Sequence, residues 1–252
     1  DIDVTASFAI NQYAVAFQTD GTPGATLGGA TSQTVAHSDD CTSVTANGTA
    51  SHSFSHWEVA SVDIGTTNPL TVTNITESTN YTAMFSINQY TLAYTAGANG
   101  SITGTSPQTV DHGSNGTAAE AVPAENYHFV NWSDASTDNP RTDTSVTTNI
   151  TVTASFAINQ YVVAFQTDGT VGATLTGTTP QTVDHGSACA PVTANAPGGY
   201  HLVKWTHGGS DYSTDNPLTV LGVTEDMTLI GAFAADAPLE PAGVAGGWYL
   251  YE

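Results

Sequence analysis

Base is what this sequence lacks most. Its 252 residues include two basic side chains, Arg141 and Lys204, against 23 acidic ones, for a formal charge of −21 at pH 7. Nucleic-acid phosphates are gripped by clustered Lys and Arg, so nucleic-acid binding is excluded, and anionic membrane surfaces are disfavoured for the same reason. Trypsin-like proteases find almost nothing to cut, which suits a protein outside the cell. Charged residues of both signs make up only 10% of the chain, well under the usual quarter or so. No run approaches the roughly 18 apolar residues of a membrane-spanning helix. No signal-peptide pattern is present and the first residue is Asp rather than Met, so a processed product or a fragment is expected. Helical periodicity never persists beyond about two turns. The GxSxG, phosphate-loop and HExxH patterns are all missing.

What is present is β-forming. Thr makes up about one residue in six, and 39% of the residues are hydrophobic, spaced regularly enough to fill a core. The tetrapeptide INQY recurs at Ile10, Ile87 and Ile158, and around it run three long copies. They contain YAVAFQTDGTPGATLGGATSQTVAH, YTLAYTAGANGSITGTSPQTVDH and YVVAFQTDGTVGATLTGTTPQTVDH, then FSHW, FVNW and LVKW, then TTNPLTV, TDNPRTD and TDNPLTV, and they end in YTAMF, VTASF and LIGAF. Tyr13, Val15 and Phe17 alternate with Ala14 and Ala16, the period of two of a half-buried strand, and the closing strands alternate likewise. Asp-Gly, Asn-Gly and Asn-Pro pairs between them favour turns. The expected fold is all-β, with at most one short helix per module. The expected division is residues 1–9 as a surplus closing strand, modules at 10–86, 87–157 and 158–234, and a linker with an aromatic strand at 235–252.

These residues resemble a known family. Tyr-x-Val at the start, a Gly-rich hairpin, Gly199-Tyr200 followed by Leu202 and Trp205, Asn-Pro-Leu and a closing Thr-x-x-Ala-x-Phe are similar to the divergent internalin-type B-repeat of bacterial surface proteins. The resemblance implies small β-grasp-like or sandwich modules in an elongated tandem array, outside the cell or on its surface. Module 1 departs from the pattern with SHSFSHW, so its central strand is expected to sit differently.

The polar candidates are weak sites. Trp57, Trp132 and Trp205 match across the modules and are expected to plug their cores; exposed, they would instead serve a carbohydrate-binding module contacting surface glycans. Asp134, Asp138, Asp143, Asp211 and Asp215 supply oxygen ligands of the kind Ca²⁺ takes, without the spacing of an EF-hand, so Ca²⁺ is a low expectation and no cofactor is assigned. Cys41 and Cys189 fall at equivalent places where module 2 has Gly116; the expected states are an interchain disulfide or free thiols, and an intrachain bond only if the array folds back on itself. An enzyme needs one unique constellation, whereas nearly every polar residue here recurs with the module, so no catalytic activity is expected.

The closing strand occurs four times and the rest of the module three times. Val4, Ala6 and Phe8 form one face of the extra copy, and Trp248, Leu250 and Tyr251 a second strand-like end. Unpaired strands invite pairing with another chain. The expectation is therefore a homopolymeric surface fibre assembled head to tail, with a monomeric adhesin stalk as the alternative.

Overall fold

In the computed structural model, which describes residues 1–237, every regular element is a β-strand. Module 1 builds β1 (Gln12–Thr19), β2 (Thr26–Gly28), β3 (Ser32–Ala36), β4 (Thr45–Asn47), β5 (His52–Val59), β6 (Val62–Gly65) and β7 (Thr79–Ile87). Its main sheet has the order β3-β1-β7-β5-β6. The module's first and last strands, β1 and β7, lie parallel at the centre, and the flanking pairs are antiparallel. A parallel pair demands a long crossover, and everything from β2 to β6 supplies it.

Module 3 repeats this plan with β14 (Gln160–Thr167), β15 (Thr174–Thr176), β16 (Gln181–Asp184), β17 (Thr193–Asn195), β18 (Tyr200–His207), β19 (Ser210–Ser213) and β20 (Met227–Ala235), in the order β16-β14-β20-β18-β19. Module 2 has one strand fewer: β8 (Gln89–Ala96), β9 (Gly100–Thr103), β10 (Gln108–Asp111), β11 (Glu120–Pro123), β12 (Tyr127–Trp132) and β13 (Ile150–Ile158), in the order β10-β8-β13-β12. By contact the chain forms two compact units. Asp1–Val122 with Asn131–Ser155 holds the first sheet and most of the second, and Pro123–Val130 with the chain from Phe156 holds the third.

Alternation decides what is inside. Val15 and Phe17 on β1 are buried, as are Val163 and Phe165 on β14. A small ribbon, β2–β4 or β15–β17, adds Leu27 and Ala46, or Leu175 and Ala194, to the same cores. Each of these modules is thus a small all-β unit, a mixed sheet with a two-stranded cover. No helix is formed among the described residues, and none there is long and apolar enough to cross a membrane.

Trp57, Trp132 and Trp205 are fully buried. Each indole N–H donates to a carbonyl, of Thr67, Asp138 and Asp215, at 3.1, 2.8 and 3.0 Å. The next residue is the Asn of the Asn-Pro pair. Its carboxamide bonds both backbone groups of Ala46, Ala121 or Ala194, imitating a neighbouring strand. Across from the indole, the closing strand carries Ala83 or Gly231. A Cβ on Gly231 would stand 3.4 Å from the Trp205 ring, so a larger side chain has no room.

The expectation that SHSFSHW displaces module 1's central strand is corrected. Phe54 pairs with Phe85 and Trp57 with Ala83, just as Leu202 pairs with Phe233 and Trp205 with Gly231. Both strands shift register at the same place, one residue after Phe54 or Leu202. The two apolar anchors set the register, so the residues around them are free to change.

Candidate functional site

Asp1–Ile10 forms no strand pairing among the described residues, and Asn11 contributes only its carbonyl, which accepts the His37 amide at 2.8 Å. The segment's sequence alternates like a strand, yet none is formed. Ile2, Val4 and Phe8 are 93%, 88% and 95% exposed. The segment does not extend β1 as a locally packed ribbon. Extended backbone needs a neighbouring strand to take its amides, and none is offered.

The same residues do form a strand elsewhere in the molecule. Val4–Tyr13 and Val152–Tyr161 are identical in sequence. In module 2 that sequence runs as β13 into β14, with Val152 and Ala154 buried. β13 lies between β12 and β8, parallel to the latter, with Val152 opposite Tyr94 and Thr153 opposite Thr95. Ser155 donates to the carbonyl and side-chain oxygens of Asn131. The Thr153 amide donates to Ser133 Oγ at 3.1 Å, and the Ser133 amide to the Thr153 carbonyl at 2.9 Å.

The Asn of each INQY is a joint. Asn88 donates from its amide to Ser51 and from its carboxamide to Ala50, and accepts from Ser53 Oγ at 2.6 Å. Asn159 donates to the Asn126 carbonyl at 2.9 Å and bonds His128 at 3.0 Å. Asn11 occupies the same place in the first copy with its side chain exposed. Of the other expected assembly residues, Trp248, Leu250 and Tyr251 lie outside the described residues.

The acidic stretch of module 2 already contains its cation. Arg141, nearly buried, donates to Asp134 at 2.7 Å and to Asp143 at 2.7 Å through its terminal nitrogens, and from Nε to Asp143 at 3.0 and 3.2 Å. Tyr94 Oη donates to Asp143 at 2.7 Å, and the guanidinium lies 5.8 Å from the Trp132 ring centre. Hydrogen bonding from Arg141 holds the Asp143 carboxyl below its ordinary range despite burial. For Asp134, burial works against ionisation, but the bonds from Arg141 and Ser136 outweigh it. Burial first, then the bond to Asp143, raises the Tyr94 phenol. Asp138 contributes its carbonyl to Trp132, and Asp215 its carbonyl to Trp205. Asp211 pairs with Lys204 at 2.6 Å. Among the described residues no three His, Cys, Asp or Glu side chains are grouped to hold a metal ion. Sequence reasoning named Asp134 and Asp143 and missed Arg141, although it stands between them.

The remaining candidates are interior. Cys41 and Cys189 are free thiols, 4% and 3% exposed in the apolar cores. Burial counts against the expected interchain disulfide, since a buried sulfur reaches a partner chain only if its module opens. Burial raises the Cys41 thiol, which further lowers its reactivity. With these three indoles enclosed, none of Trp57, Trp132 and Trp205 offers a platform for stacking a sugar. The three repeated His pack on the opening Tyr of their modules, Tyr13 on His37, Tyr90 on His112 and Tyr161 on His185.

Residues 90–160 and 161–237, together more than half of the chain, each match the divergent InlB B-repeat domain. No curated protein matches the chain.

Proposed function

The chain belongs to the divergent InlB B-repeat family, a family of non-catalytic repeats of bacterial surface proteins, and from that premise we propose that it is a structural spacer joined end to end to other repeats through closing strands. One observation carries the reading. Val4–Phe8 is unpaired and exposed, while the same five residues at Val152–Phe156 complete a module's sheet. Asp1–Ala9 thus supplies a closing strand to an adjoining module. The junctions inside the chain give the pattern: β7 passes into β8 across Asn88 alone, and β13 into β14 across Asn159 alone. Joints this short, each pinned by the Asn side chain, suit a segment that holds something away from a surface.

The spacer reading is favoured over a self-assembling fibre because β7, β13 and β20 fill all three closing positions among the described residues. A second copy offers no vacant slot there. Negative-stain electron microscopy of the purified chain, beside a variant lacking residues 1–9, tests this. Separate single particles are expected in both samples. Filaments that disappear with the deletion would overturn the spacer and restore the homopolymeric fibre.

A further inference from the structure

We infer that Asp1–Ala9 is matched to one type of acceptor: a B-repeat module whose Trp strand reads Asn-Trp-Ser and whose closing position is unfilled. This rests on the joining-strand reading above and names its partner.

The inner face of a closing strand varies little. Tyr81, Ala83 and Phe85 in module 1 correspond to Val152, Ala154 and Phe156 in module 2, and to Leu229, Gly231 and Phe233 in module 3. The outer face is where the modules part. In module 1, Met84 lies opposite His56, and Gln18 donates to Thr82. In module 3, Ala232 lies opposite Lys204 and Ile230 opposite Thr206. In module 2 both places are polar: Ser155 bonds Asn131, while Thr153 bonds Ser133 and shares a 2.7 Å hydrogen bond with the Thr95 hydroxyl. Cross-strand pairs of this kind set the preference of one strand for another. The segment carries Thr5 and Ser7 at these two outer places, and Val4, Ala6 and Phe8 on the inner face. Both outer places match the Asn-Trp-Ser slot; in module 1 only Thr82 matches, with Met84 in place of Ser, and in module 3 neither does.

Inside this chain that slot is held by β13, which has the advantage of an intramolecular partner. The segment therefore acts on a module of the same type that has no closing strand of its own. Such an acceptor can be made from the full chain. Ala154→Glu sets a carboxylate against buried Trp132 and expels β13; Asn131→Cys marks the slot; and deletion of residues 1–9 removes the competing copy. A synthetic peptide of Asp1–Tyr13 carrying Ser7→Cys should form a disulfide with Cys introduced at position 131, as the Ser155 contact dictates. Two parallel acceptors report on specificity, one with Ala83→Glu and His56→Cys, the other with Gly231→Glu and Lys204→Cys. Capture should be about tenfold weaker at module 3, the effect of two mismatched cross-strand pairs, and about threefold weaker at module 1, where one pair is mismatched.

Equal capture by all three acceptors would overturn the matching while leaving the joining-strand reading standing. No capture at module 2, where a peptide of Asn149–Tyr161 with Ser155→Cys is captured, would overturn both. Should Ala154→Glu abolish the sheet signal in circular dichroism, Val152→Asn loosens β13 without a buried charge, and the same outcomes apply. Filaments of the unaltered chain would overturn the spacer without touching the peptide result.

Discussion

Module 3 closes one corner of its sheet with Phe165, Cys189, Leu218 and Val220, all within 3% of full burial. At the same four places module 2 has Tyr94, Gly116, Arg141 and Asp143, joined by hydrogen bonds and an ion pair. The backbone is shared: Leu218 bridges Val192 as Arg141 bridges Ala119. A fifth position moves with them. Val163 beside Cys189 becomes Leu92 beside Gly116, and a Cβ on Gly116 would stand 2.5 Å from the Leu92 side chain. One scaffold thus tolerates an apolar or an ionic filling, provided all members change together. A buried ionic group alone costs far more than a satisfied set.

The largest effect should come from splitting the set. Arg141→Leu leaves Asp143 buried without its partner and should destabilise module 2 by about 3–5 kcal/mol, read as an earlier transition in urea unfolding of the full chain. The joint change Tyr94→Phe, Leu92→Val, Gly116→Cys, Arg141→Leu and Asp143→Val should restore most of that loss. A tolerated single variant, or an unrecovered joint one, breaks the comparison.

Next comes volume. Gly116→Cys alone should cost about 1–3 kcal/mol through the clash with Leu92, and Leu92→Val should relieve it. Thermal scans of the two variants decide whether the fifth position belongs to the set.

Acidity sharpens the contrast without mutation. Asp134 and Asp143 have folded-state pKa values below their unfolded ones, so their stabilisation is present above about pH 4 and is lost as pH falls through the folded values. The Tyr94 phenol is raised, so module 2 also weakens above about pH 10, where the unfolded phenol ionises while the folded one resists; Phe165 has no such group. Module 3 keeps one depressed carboxylate on the matching turn, Asp168. Hydrogen exchange followed across pH should show module 2 losing protection more than module 3 in acid, whereas in alkali each has a raised phenol, Tyr94 and Tyr212; parallel loss in acid would contradict the assignment.

The smallest effect lies at that turn. Asp168 accepts the Phe233 and Thr170 amides at 2.9 and 3.0 Å, as Asp20 accepts those of Phe85 and Thr22, while module 2 has Gly97 there. Asp168→Ala should cost module 3 about 1 kcal/mol, measurable as a modest shift in its transition. No shift would show that the turn holds without the carboxylate.

Much of this was legible in the sequence because the signals are local or repeated. Alternation marked β1 and its copies, and three Trp at matching places marked three cores. The Asn-Pro pair read only as a turn, because its other role, clamping Ala46, Ala121 or Ala194, depends on a strand some twenty residues away. Asp134 and Asp143 read as cation ligands because composition counts oxygens and does not show where Arg141 folds back. Cys41 and Cys189 read as available thiols because spacing carries no burial. The closing strand at Asp1–Ala9 was visible as a pattern, but a strand exists only beside a neighbour, and none pairs with it among the described residues.

The parallel pairing of first and last strand has a mechanical meaning. The chain enters a module at the start of β1 or β14 and leaves it at the end of β7 or β20, and these strands run side by side over five register pairs. Tension along the chain pulls such strands past one another, so their hydrogen bonds are loaded together in shear rather than peeled one at a time. A module held this way gives under force only when the whole ladder fails at once.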